Sequence, residues 1–209
     1  MAEILKVDGA TLTGAIDCAA KLIESGKVVA FPTDTVYGLG ADPFNLAAVS
    51  EVFRLKGRSF NRPLPLLVNS LDQAIELTSD PPRLFFDLAE RYWPGRLTIV
   101  APGSRRIPLK VTGNTGNVGL RWPCAKIATS LIRAAARPLT GTSANLTDRP
   151  PCKTAAEVNG QIGNDLPLIL DGGPTQDDVA STVVDVTGAR PRILRHGPIS
   201  EDELKELLG

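Results

Sequence analysis

Four stretches of the chain carry residue types that can do chemistry. Phe31-Pro32-Thr33-Asp34-Thr35-Val36-Tyr37-Gly38-Leu39-Gly40 places hydroxyls directly after an apolar run, with glycines that let the backbone approach a ligand. Arg54-Leu55-Lys56-Gly57-Arg58, extended by Arg62, sets four cations within nine residues at the end of a helix. Gly141-Thr142-Ser143-Ala144-Asn145 is a small polar loop after a strand. Ser181-Thr182-Val183-Val184-Asp185 has Ile193-Leu194-Arg195 close behind it. Each has a plainer reading alone. Lys-Gly-Arg can complement a helix macrodipole, Thr-Ser-Asn can form a turn, and Ser181-Thr182 can begin an ordinary strand. Together they describe a pocket with many hydroxyls, several phosphate-binding cations and no nucleophile–base pair. Such a pocket suits catalysis by positioning and charge stabilisation.

Other chemistries are poorly supplied. His196 is the only histidine, which excludes a histidine-based zinc site and disfavours a Ser-His-Asp hydrolase. In Arg-His-Gly-Pro it reads as a turn residue. Cys18, Cys124 and Cys152 form no CxxC, and their odd number suits a reducing compartment. Gly38-Leu39-Gly40 meets Pro43 where a dinucleotide fingerprint needs glycine. Gly113-Asn114-Thr115-Gly116-Asn117-Val118-Gly119 lacks the Lys-Ser/Thr pair of a P-loop and reads as a mobile surface loop. Tyr37, Tyr92, Trp93 and Trp122 do not interleave with the basic residues, so they support a base-stacking platform weakly.

The formal charge of zero hides an asymmetry. From Arg91 to Thr147 there is no acidic residue and there are nine basic ones: Arg91, Arg96, Arg105, Arg106, Lys110, Arg121, Lys126, Arg133 and Arg137. This stretch is expected to concentrate positive potential in a cleft or on a face, the alternative being scattered arginines on solvated helices. Apolar residues at 43% and charged residues at 22% are ordinary globular usage. No apolar run approaches the roughly 18 residues of a membrane span. Met1-Ala2-Glu3 does not open a secretory leader, so the expectation is a soluble, cytoplasmic protein without membrane contact.

Short strands and helices must position these stretches. Thr13 is expected to cap a helix whose inward residues are Ile16, Ala19, Ala20 and Ile23, with Gly26 at its end; Cys18 packs on that stripe. Val28–Phe31 reads as a buried strand ended by Pro32, and Leu46–Lys56 as a helix with Gly57 past its end. Further helices are expected at 71–78, opened by Ser70, and at 84–92, 127–136 and 154–161. Ser200 and Glu203 have capping-box spacing for a last helix. Strands are expected at 65–68, 97–100, 118–121, 138–142, 168–170, 181–186 and 192–194. No repeat or linker interrupts the mixture, so residues 1–209 read as one α/β (α+β) domain.

With PTDTVYGLG after a strand, Lys56-x-Arg58, Ser143-x-Asn145 and STVVD in this order, the chain resembles the YrdC/TsaC family of threonylcarbamoyl-adenylate synthases from about residue 12 to 197. The resemblance implies a YrdC/RibB-like fold, a strongly twisted mixed sheet flanked by helices around a large basic cavity. It implies a reaction in which L-threonine, bicarbonate and ATP give threonylcarbamoyl-adenylate and pyrophosphate. Other proteins then transfer the threonylcarbamoyl group to tRNA. Some relatives carry a further C-terminal domain, and this chain looks like the short form. It departs from the family at Arg62-Pro63-Leu64, at Leu67 and at Thr147-Asp148, which bears on the contacts to triphosphate and threonine.

Carried over by motif position, Lys56 and Arg58 are the expected catalytic cations. The resemblance implies that they bind ATP together with Ser143, Asn145 and Arg195, with Arg62 as a further candidate. Arg121 is expected to hold the threonine carboxylate, with Thr35 and Ser181 also on the amino acid. Magnesium would arrive with the triphosphate rather than sit in a protein cage. Two alternatives stay open: a double-stranded RNA or tRNA-binding module, and a carbamoyl-adenylate-forming maturation domain. The latter usually sits in longer chains with regions this sequence lacks.

Overall fold

The computed structural model describes residues 1–208. The chain runs through β1 (Glu3–Lys6), α1 (Leu12–Glu24), the hairpin β2 (Val29–Pro32) and β3 (Tyr37–Gly40), and α2 (Leu46–Lys56). Next come β4 (Leu66–Leu67), α3 (Leu71–Glu76), α4 (Arg83–Tyr92), β5 (Leu97–Pro102), β6 (Asn117–Arg121) and α5 (Lys126–Ala134). After β7 (Leu139–Thr140) and β8 (Thr142–Ser143) follow α6 (Ala155–Ile162), β9 (Leu168–Asp171), β10 (Thr182–Asp185), β11 (Arg192–Arg195) and α7 (Glu201–Leu208).

The mixed α/β architecture that the resemblance implies is present, with its strands divided between two mixed sheets rather than one. One has the order β1-β9-β2-β3-β8, the other β11-β10-β5-β6-β4-β7. The predicted strand 138–142 is divided between them at Gly141: β7 pairs with β4 in the second sheet, and β8 with β3 in the first. The Thr140 hydroxyl fixes the crossing, donating to Leu39 O and accepting from Ala41 N. Gly141 N donates to Pro65 O on the other side.

Alternation along β2 explains the layering. Val29 and Phe31 pack with Ile16, Ala19 and Ile23 of α1 and Leu131 and Ile132 of α5, covering the outer face of the first sheet. Ala30 faces the larger core, where Val52 and Phe53 of α2 and Phe85 and Leu88 of α4 meet strands of both sheets. Cys18 packs partly buried against the outer cluster.

Several boundaries differ from those predicted. Thr11, not Thr13, precedes α1, and its hydroxyl bonds Lys6 O and Asp8 rather than the helix. Residues 37–40, for which no strand was expected, form β3, because β8 supplies a second pairing partner. The strand expected at 118–121 is β6, which starts one residue earlier, so the end of the 113–119 stretch read as mobile loop is strand. β1 was not foreseen. Helix α2 has the predicted bounds, and Gly57 ends it at φ +57°, the left-handed region that glycine adopts without cost. The Ser200–Glu203 capping box before α7 is present. Among the described residues no helix is long and apolar enough to cross a membrane.

Candidate active site

The two sheets face each other across a cleft with about 610 Å³ of atom-free space continuous with solvent. Thr35, Arg58, Arg121, Ser143, Ser181 and Arg195, six of the nine expected site residues, line it. Thr35 comes from the β2–β3 turn and Ser143 from β8; Arg121 ends β6, Arg195 ends β11, and Ser181 precedes β10. Arg58 follows the Gly57 cap of α2.

Hydroxyl directions follow from their partners. Thr33 donates to Val36 O at 2.7 Å, so the 3.1 Å contact between Thr33 and Thr35 must be donated by Thr35. Arg121 Nη1 donates to Thr35 Oγ1 at 2.9 Å. Thr35 therefore offers the cleft a lone pair and no proton. On the facing wall Arg195 Nη2 donates to Ser181 Oγ at 3.0 Å, and Ser181 shares one proton with Thr98 across 2.7 Å. The second proton of that pair is free to donate. One wall accepts and the other donates.

Three guanidiniums line the cleft, and one of them, Arg121, has a carboxylate partner. Arg121 is buried, with Nε donating to Gly95 O at 2.9 Å. Its Nη2 stands 2.9 Å from Asp34 Oδ1, an ion pair without hydrogen-bond alignment. Burial lowers the pKa of Arg195, and the charges of Arg121 and Arg58 lower it further. Burial and the neighbouring Arg62 act the same way on Arg58, whose Nε has no partner. Arginines remain protonated under such pressure, so an anion bound between them would relieve this repulsion.

Lys56 does not face the cleft. It is 2% exposed, and its ammonium donates to Ser143 O at 2.6 Å, Asn145 O at 2.7 Å and Asn145 Oδ1 at 3.3 Å. Its place on the inner face of α2, one turn after Val52 and Phe53, turns it inward. Asn145 is likewise enclosed, its amide donating to Leu146 O and Arg149 O. Lys56 and Asn145 thus hold the 143–145 loop from behind, while Arg62 lies exposed outside the lining. Sequence reasoning missed Thr33 and Thr98, which look like ordinary strand and turn threonines. The acid-free stretch is also not one patch: of its nine cations only Arg121 reaches the cleft. Lone His196 lies elsewhere, in a surface depression with Arg192 and Glu201.

Burial, followed by the charge of Arg58, pulls the Lys56 ammonium down to about 8 from an ordinary 10.5. The unfolded chain then holds the extra proton between these values, so the Lys56 contribution to stability should rise with pH from about 8 to 10.5. Lys56→Met should abolish that rise and, by orphaning buried acceptors, lower stability by about 3 kcal/mol. Denaturant unfolding of both proteins at pH 7, 9 and 10.5 checks this.

The family model described as Sua5/YciO/YrdC, "Telomere recombination", matches residues 21–197. Threonylcarbamoyl-AMP synthase of Pyrococcus abyssi is 39% identical over 93% of this chain and 57% of its own length. The chain thus spans little more than half of that relative. The enzyme of the same name from Vibrio campbellii is 33% identical over 85% of this chain and 96% of its own. Sua5 of P. abyssi, solved in complex with L-threonine, superposes with a TM-score of 0.95 at 38% identity, over 99% of this chain and 61% of that one.

Proposed function

The chain belongs to the Sua5/YciO/YrdC family, and on that premise we propose that it is an L-threonylcarbamoyladenylate synthase. L-threonine, bicarbonate and ATP would be its substrates, and threonylcarbamoyl-AMP and pyrophosphate its products. One observation carries the reading: Arg58, Arg121 and Arg195 converge on a hydroxyl-lined cleft that holds no nucleophile–base pair.

Threonine's ammonium suits the lone pair of Thr35, and its carboxylate the unused donors of Arg121 and of the Ser181–Thr98 pair. The threonine carried by the Pyrococcus structure supports an amino-acid site in this fold. The amine, once deprotonated, attacks bicarbonate to give a carbamate and water. A carbamate oxygen then attacks the α-phosphorus of ATP and pyrophosphate leaves. Arg58 and Arg195, with Ser143 beside them, neutralise the charge that builds on the leaving group. Lys56 and Asn145 serve ATP indirectly by fixing the Ser143 loop. Magnesium enters on the triphosphate. The lining is guanidinium and hydroxyl, so oxygen ligands for the ion would come from ATP itself.

The same reading places the protein in the cytoplasm, handing its product to proteins that modify tRNA. Mass analysis of a mixture of threonine, bicarbonate and ATP should show threonylcarbamoyl-AMP, with pyrophosphate release dependent on threonine. Valine should replace it poorly, because it leaves polar groups of the cleft unpaired. Pyrophosphate release at equal rates with valine, or with no amino acid, would sink the assignment.

A further inference from the structure

We infer that the turn at Pro108–Gly113 is a positioning device for Arg58, acting through the backbone of residues 59–63; this rests on the phosphate-binding role proposed for Arg58. None of residues 108–113 lines the cleft. Arg58 is oriented by a single protein acceptor, Pro63 O, which takes a hydrogen bond from Nη2 at 3.0 Å. Where Pro63 lies therefore decides where the guanidinium points.

Pro63 is placed by the turn. Leu64 N, the next residue's donor, bonds Val111 O at 2.8 Å. Gly113 lies so close to the segment that a Cβ there would stand 2.7 Å from Asn61 O and 3.0 Å from Pro63 N. Both contacts are backbone atoms and cannot swing aside as a side chain would. Lys110 completes the clamp: its Nζ sits 4.2 Å from the centre of the Phe60 ring and donates to Ser50 Oγ on α2 at 2.6 Å. Phe60 in turn meets Phe53 of α2 edge-on, 5.0 Å between centres. The segment is held between the turn and the helix that Arg58 follows.

Gly113 has φ +58°, so alanine there carries backbone strain as well as the clash. Gly116, at φ +74°, also has the positive φ that strains an L side chain, but a Cβ there meets nothing within 4 Å. Gly113→Ala and Gly116→Ala therefore both carry positive-φ strain, and only Gly113→Ala adds the push on residues 61–63. The experiment titrates wild type and both variants with ATP–magnesium and, separately, with L-threonine, and records melting temperatures. Gly113→Ala should bind ATP roughly tenfold more weakly than Gly116→Ala, with threonine affinity unchanged. Gly113→Asn, which tolerates the left-handed backbone but keeps the Cβ, should weaken ATP in the same way. In an Arg58→Ala background, Gly113→Ala should cost no further ATP affinity, since its effect runs through that side chain.

Matched ATP affinities in the two alanine variants, or additive losses in the Arg58→Ala background, would overturn the inference and leave the proposed function standing. Absence of ATP binding by the wild type would overturn both. If Gly113→Ala does not fold, Lys110→Ala removes the contact on Phe60 without strain. It should weaken ATP about threefold and spare threonine; unchanged ATP affinity there counts against the clamp.

Discussion

Arg58→Ala is expected to lower threonylcarbamoyl-AMP formation by about 10²–10³-fold, the usual effect of removing one donor aimed at developing charge. The protein should melt within a few degrees of the wild type. In the folded state this side chain makes one hydrogen bond, to Pro63 O, and leaves Nε unpartnered. Its loss therefore costs the fold about 1 kcal/mol or less. Stability and turnover separate because the group's remaining donors face the cleft. Arg58→Lys should recover only part of the rate, since an ammonium cannot replace a planar fork. Product measured by mass, beside a melting curve, tests both halves; full activity in a folded Arg58→Ala protein would remove Arg58 from the mechanism.

Arg121→Ala should behave in the opposite way. Its guanidinium and Asp34 are both 7% exposed, 2.9 Å apart, and Asp34 has no hydrogen-bond partner to fall back on. Deleting the arginine strands a buried carboxylate, and stability should drop by about 3–5 kcal/mol. Arg121→Ala combined with Asp34→Asn removes the stranded charge and should restore much of that stability. It should not restore threonine binding, because the carboxylate partner and the donor that sets Thr35 are both gone. Urea unfolding and threonine titration of the single and double variants decide the matter. A double variant that binds threonine normally would assign the carboxylate to other groups.

Much of this protein is legible in its sequence where a signal is local. The bounds of α2 follow from apolar residues at helical spacing and a glycine at the required left-handed position. The Ser200–Glu203 capping box before α7 is likewise short-range chemistry. What escaped reading is set by distant pairing. β1 is short and mostly exposed, so no alternation marks it; it exists because β9 pairs alongside. The run 138–142 reads as one strand, and nothing within it says that two different sheets claim its halves. At the site, the motifs that carry the resemblance gathered six of the lining residues, yet a motif does not say that Lys56 is turned away from the cleft. Its three acceptors lie 87 to 89 residues away, and only the fold makes a buried ammonium more useful there than a solvated one.

The crossing at Gly141 gives ligand binding a mechanical meaning. Thr35 and Ser143 belong to one sheet; Thr98, Arg121 and Arg195 belong to the other. Amides of Thr140, Gly141 and Ala144 fasten the crossing strand to Ala41 O, Pro65 O and Tyr37 O. A molecule spanning the cleft acts as one more stitch in the same seam. Occupancy and cohesion of the two halves then become one quantity, growing with the logarithm of ligand concentration over its dissociation constant. The backbone at 140–144 therefore works as a built-in strain gauge, and hydrogen exchange at these few amides reports how full the cleft is.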